Sequence, residues 1–181
     1  MNAFKNDLHD LVARHVAAAP PAKLLHLVET LAGDLEPVPA AVKFDARPRF
    51  LKLDTSGKET SGDHVAVYDH STDLVWTAEP LGGGKEIKHA DAMSACADLD
   101  LLGSKGWRAP TIQELLSIVD YTRCSPAVDA DFFKGPHSWT WSSTVAASPS
   151  GRAWGVLLSS GLSDRYYQVD RFRVLAVRAG Q

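Results

Sequence analysis

The residues that could carry chemistry are few, and their spacing limits what they can do. Cys96 and Cys124 lie far apart in the chain, with no Cys-x-x-Cys pair and no His-Glu-x-x-His run to suggest a metal or redox centre. Asp129 and Asp131, with Asp120 nearby, are spaced closely enough to ligate a cation through their carboxylates. Aspartates in such a run more often accept hydrogen bonds from their own turn, and that is the reading taken here. Ser142-Ser143-Thr144 offers hydroxyl nucleophiles but lacks the Gly-x-Ser-x-Gly elbow, and no histidine and acid pair with it. Hydroxyls at a strand end usually bond backbone instead. No catalytic residue, metal ligand or cofactor is therefore assigned, and the chain reads as non-enzymatic.

Residues 163–171 differ in kind. Asp164, Arg165, Tyr166, Tyr167, Asp170 and Arg171 crowd into a stretch expected to be an exposed polar loop running from Ser159 to about Arg171. Arginine and tyrosine are enriched where interfaces concentrate binding energy, so these six are the expected partner-binding residues. One of the two adjacent tyrosines is expected to face the core instead. Arg108, beside a helix start, is read as a structural ion-pair donor.

Several elements must hold that loop. Pro110-Thr111 followed by Glu114 predicts a helix beginning at Ile112, with Thr111 as N-cap and Glu114 closing a capping box, an arrangement contributing roughly 1 kcal/mol. Ile112, Leu115, Leu116 and Val119 recur at helical spacing, and Trp107, Trp139 and Trp141 are the expected cover for that face. A second helix from about Ala90 is expected to present Met93, Cys96, Leu99 and Leu102. Strands are predicted at 49–53, 64–68, 74–77, 138–142, 153–158 and 172–178, with a turn at 69–73, a glycine loop at 82–84 and an aromatic-pinned loop around Pro126 to Phe133.

The first 36 residues read differently. Phe4, Leu8 and Leu11, then Leu24, Val28 and Leu31, recur at helical spacing on either side of Pro20-Pro21, predicting a helical hairpin. So short a segment rarely buries enough apolar surface to fold alone. These six residues are the expected docking or oligomerisation face. Residues 37–48, beginning Pro37-Val38-Pro39, read as a linker, and 49–181 as the main domain.

A net charge of −3 and a pI near 6.1 leave no electrostatic footprint for nucleic acid. No apolar run is long enough to span a membrane, and the N-terminus lacks the pattern of a signal peptide. Both cysteines are expected to be reduced, and the expected location is cytoplasmic, or the virion if the protein is phage-borne.

Asp73-Leu74-Val75-Trp76, Ala95-Cys96, Gly-Trp-Arg-x-Pro-Thr-x-x-Glu-Leu at 106–115, Trp141-Ser142-Ser143-Thr144 and the closing Val177-Arg178 together resemble the Lcl C-terminal (DUF1566) family over about residues 64–179. The resemblance implies an α+β fold similar to C-type lectins and formylglycine-generating enzymes: two helices, a small twisted antiparallel sheet and long loops. Family members often carry Cys where Ala176 stands, so a partner that the resemblance implies for Cys96 is missing. Calcium-dependent lectins of this fold use a Glu-Pro-Asn loop, whereas here Glu79-Pro80 is followed by Leu81 and the only asparagines are Asn2 and Asn6. The oxidase relatives need a close cysteine pair that the chain lacks.

The function expected from these readings is a recognition module whose loop side binds a protein or a surface polymer, with self-association through the N-terminal helices. The alternative is an inhibitor or regulator that captures a partner protein through the hairpin.

Overall fold

A buried aspartate organises the first sheet. Asp69 has no exposed surface, and its carboxylate accepts from the Ser71 amide at 2.9 Å, the Ser71 hydroxyl at 2.7 Å and the Thr72 hydroxyl at 3.0 Å. These bonds build the predicted turn at 69–73. Arg49 pairs with the same carboxylate and also donates to the Ser117 carbonyl, tying the start of the domain to a helix end. The computed structural model describes residues 47–147 and 151–180. The predicted N-terminal hairpin, with Phe4, Leu8, Leu11, Leu24, Val28 and Leu31, lies outside the described residues.

Among the described residues, three small antiparallel sheets and two regular helices make a mixed α+β architecture. The largest sheet runs β1 (Phe50–Leu53), β2 (Ala66–Asp69), β3 (Leu74–Thr77) and β9 (Val177–Ala179) in that order. Side chains alternate across a strand, and here both faces are covered. Val67, Leu74 and Trp76 enter one core cluster, while Ala66 and Val75 enter a second. A two-stranded pair joins β4 (Ile87–Lys88) to β8 (Arg171–Phe172). The third sheet is β5 (Trp139–Val145), β6 (Arg152–Leu157) and β7 (Leu162–Tyr167).

Helix α1 (His89–Ala97) buries His89, Ala92 and Cys96. It ends at Ala97 with Asp98 as C-cap, before Leu99 and Leu102, which therefore do not continue its face; Leu102, at a φ of +58°, sits in the following turn between Leu101 and Ser104. Helix α2 (Ile112–Ser117) begins where predicted. Thr111 accepts from the Glu114 amide at 3.2 Å while Glu114 accepts from the Thr111 amide at 2.7 Å, the reciprocal capping box. Val119 falls beyond its end, and Ile118 takes the buried position.

The cover over α2 also differs from expectation. Ile112 and Leu115 share a cluster with Trp76, Phe133, Val156 and Leu175. Trp107 and Trp141 pack instead with Ala92, Cys96 and Val174 in the other cluster. Trp107 is held there because its indole N–H donates to the carbonyls of Leu101 and Ser104 in the connection after α1. Phe133 pins its loop as expected, meeting Phe50 edge-on at 5.3 Å.

Two strand expectations are corrected. Residues 172–178 are not one strand but β8 and β9, separated by buried Val174, Leu175 and Ala176. The expected polar loop from 159 to 171 contains β7, an edge strand. With only Tyr166 partly covered, β7 carries none of the apolar alternation that marks a half-buried strand.

Candidate functional site at the β6–β7 hairpin

The hairpin turn sets the register from which the site follows. Residues 158–161 link β6 to β7, and Gly161 takes a φ of +79° where a Cβ would lie 2.7 Å from Val119 Cγ1. Glycine alone fits both the backbone conformation and the contact. The resulting register places Arg152 opposite Tyr167, Trp154 opposite Arg165 and Val156 opposite Ser163. Residues directly opposite in an antiparallel pair share a face.

On that face the two arginines and two aromatics interlock across the strands. The Arg152 guanidinium carbon lies 4.4 Å from the Tyr167 ring centroid, and Nη2 donates to the Tyr167 hydroxyl at 3.0 Å. One step along, the Arg165 guanidinium carbon lies 5.5 Å from the centre of the Trp154 ring. Each cation is thus stacked on an aromatic of the neighbouring strand, a geometry contributing about 0.5–1 kcal/mol per pair at exposed positions. Stacking suits the planar guanidinium; Arg152 commits Nη2 to the Tyr167 hydroxyl and buries its Nε, whereas no hydrogen bond among the described residues engages the Arg165 side chain.

Apolar anchors flank this ladder. Tyr167 is 51% exposed and Val169 70%, and Tyr121, at 72%, reaches Gly161 from the α2 side with its hydroxyl donating to the Gly161 carbonyl; Leu162, 63% exposed, lies on the other face of β7. Large hydrophobics left in solvent beside a rigid polar array resemble the composition of a protein interface.

The opposite face of β7 is structural. Tyr166 meets Trp139 at 4.7 Å and Phe172 at 4.8 Å between ring centroids, and Phe172 in turn tilts against Trp141 at 4.4 Å. Burial, reinforced by the nearby Asp164 and Asp170 carboxylates, pushes the Tyr166 hydroxyl pKa up. This aromatic cluster fastens the hairpin to the domain.

Compared with known protein families, residues 65–178 match the Lcl C-terminal domain. The chain belongs to that family. No curated protein matches it.

Within this Lcl C-terminal domain the six residues read from sequence are only partly assembled. Arg165 and Tyr167 lie on the ladder face. Tyr166 turns to the core, as one of the pair was expected to do. Asp164 is at the strand edge, where its carboxylate accepts from the Arg165 amide at 2.7 Å. Asp170 closes the turn after β7, its amide donating to the Tyr167 carbonyl at 2.8 Å. Arg171 belongs to β8, paired opposite Lys88 in a different sheet. Arg152 and Trp154, half of the ladder, escaped sequence reading: their role depends on a β7 that was read as loop.

The remaining chemical candidates of the Lcl domain are engaged in structure. The Ser142 hydroxyl donates to the Trp154 carbonyl at 2.8 Å and the Ser143 hydroxyl to the Pro110 carbonyl at 3.2 Å, while Thr144 accepts from the Ile112 amide at 3.0 Å. Arg108 forms a two-pronged pair with Glu114, whose carboxyl is held below its usual range by that guanidinium. Asp129 accepts from the Asp131 amide at 3.1 Å, and Arg123 bridges Asp120 and Asp129, so these carboxylates serve their own turns. Cys96 is buried and Cys124 exposed, both as free thiols. No helix among the described residues is long and apolar enough to cross a membrane.

Concavities elsewhere among the described residues include one of about 520 Å³ lined by Arg49, Phe50, Ile118, Tyr121 and Phe132, and a cleft of about 310 Å³ lined by His64, Thr77, Glu79, Leu99, Leu101 and Lys134. Its lysine is already engaged with the Asp63 carboxylate and the His64 carbonyl. His64 donates from Nε2 to the Phe132 carbonyl at 2.8 Å. These bonds fix loops to one another.

Proposed function

We propose that the chain is a non-enzymatic recognition module with a C-type-lectin-like fold, which binds a protein or a surface polymer through the exposed face of the β6–β7 hairpin. The observation that carries this reading is the interlocked ladder of Arg152, Tyr167, Trp154 and Arg165. Trp154 rests partly buried against the core, while Arg165 and Tyr167 across the strand are exposed, so the ladder is a surface array anchored through one aromatic. Pre-stacked guanidinium groups lose little conformational freedom on meeting a ligand, and the neighbouring exposed Val169 supplies apolar contact. A bacterial or phage-borne setting, with residues 1–36 serving self-association, belongs to the same proposal.

The test compares the full chain with its Arg165→Ala/Tyr167→Ala variant, each immobilised and exposed to cell-surface preparations. Components retained by the wild type and lost by the double variant, with melting nearly unchanged, support the reading. Equal retention by both proteins removes the hairpin face from consideration.

A further inference from the structure

Strand β7 is the edge of its sheet, and its free main-chain groups are identified by the pairing pattern. The Gln168 amide donates to the Gly151 carbonyl and the Gly161 amide to the Leu157 carbonyl, while the Arg152 carbonyl faces β5, accepting from Ala146. Antiparallel pairs alternate between bonded and non-bonded positions. With Arg152 opposite Tyr167 and Trp154 opposite Arg165, the amides and carbonyls of Ser163, Arg165 and Tyr167 therefore point away from β6. Such a row is a ready template for another strand.

Two of those outward groups are already occupied. The Arg165 amide, at the centre of the row, donates to the Asp164 carboxylate at 2.7 Å, and the Tyr167 carbonyl accepts from the Asp170 amide at 2.8 Å. Charge acts in the same direction. For a second copy adding antiparallel about a two-fold axis, outward residues must face outward residues. The two registers that use the length of the strand are centred on Asp164 or on Arg165. Each puts like charges directly opposite one another, which is unfavourable.

We infer that Asp164 is a gatekeeper that closes the β7 edge against strand addition by a second copy of this chain, leaving the ladder face as the surface a partner meets. This goes beyond the binding reading and does not depend on what the ladder binds. It assigns to Asp164 the main-chain edge rather than the ligand.

The experiment uses the full chain with Asp164→Val and Asp164→Asn, measured by sedimentation velocity over a range of concentrations and by amide hydrogen exchange. Asparagine removes the charge but keeps an oxygen able to accept from the Arg165 amide, whereas valine removes both. The Val variant is expected to shift toward about twice the wild-type mass with rising concentration, as a two-fold pair requires, and the Ser163 and Tyr167 amides to become protected. The Asn variant is expected to sediment as wild type. Identical sedimentation of Val variant and wild type with those amides unprotected, or association of both variants alike, overturns the inference.

Discussion

Arg165 and Trp154 face each other across β6 and β7, the guanidinium carbon 5.5 Å from the ring centroid, and among the described residues no carboxylate pairs with that guanidinium. The paired arginines of the domain behave otherwise: Arg49 meets Asp69, Arg108 meets Glu114 and Arg173 meets Glu86. Arg165 is thus a cation held in place by stacking, with its hydrogen-bonding edge uncommitted.

Exchanging Arg165 for Lys while keeping the charge is expected to weaken ligand retention, because an ammonium neither stacks as a plane nor offers a two-pronged donor edge. Melting should move little, since the stack contributes only about 0.5–1 kcal/mol. Retention assays alongside thermal unfolding check this; unchanged retention in the Lys variant would mean that charge alone matters.

Thr111→Ala removes the hydroxyl that accepts from the Glu114 amide. The expected cost is about 1 kcal/mol in denaturant unfolding, with ligand retention intact. The capping-box bonds involve no ladder residue, so loss of retention here would point to a role for the helix start.

Asp69 gives the domain an acid limit. Burial would raise its carboxyl pKa, but the bonds from Arg49 and Ser71 outweigh that and hold it below the ordinary value. A group whose folded pKa is depressed contributes stability that is present above its unfolded pKa and is lost as the pH falls through the folded one. Denaturant midpoints should therefore decline as the pH drops below about 4, the usual Asp range. Asp69→Asn should flatten that decline while lowering stability at neutral pH.

The thiols should separate cleanly. Burial pushes the Cys96 thiol up to about 12, whereas Cys124 is exposed. A thiolate is the reactive form, so an alkylating reagent near neutral pH is expected to label Cys124 in the native protein and both cysteines only after unfolding. Rapid native labelling of Cys96 would contradict its place against Ala92 and Trp107 in the core.

Local rules made much of the fold legible before the structure. The α2 start, the 69–73 turn, the aromatic-pinned loop and the bonding of Ser142 and Ser143 to backbone each follow from a few neighbouring residues. What escaped depended on tertiary pairing. β7 reads as loop because an edge strand with four consecutive exposed residues, Leu162, Ser163, Asp164 and Arg165, has no buried face to impose a period of two. Without β7 there was no register, and without register Arg152 and Trp154 could not be placed opposite Tyr167 and Arg165. Trp76 and Phe133 covering α2, in place of Trp107 and Trp141, is likewise set by which face of a two-sided sheet each side chain enters.

The most direct measurement is quantitative binding of an isolated retained component to the wild type and to Arg165→Ala/Tyr167→Ala. Loss of two interface anchors is expected to weaken binding by at least about thirtyfold, equivalent to ~2 kcal/mol, with the melting transition nearly unchanged. Equal affinity in the two proteins would contradict the assignment of the β6–β7 face as the binding surface.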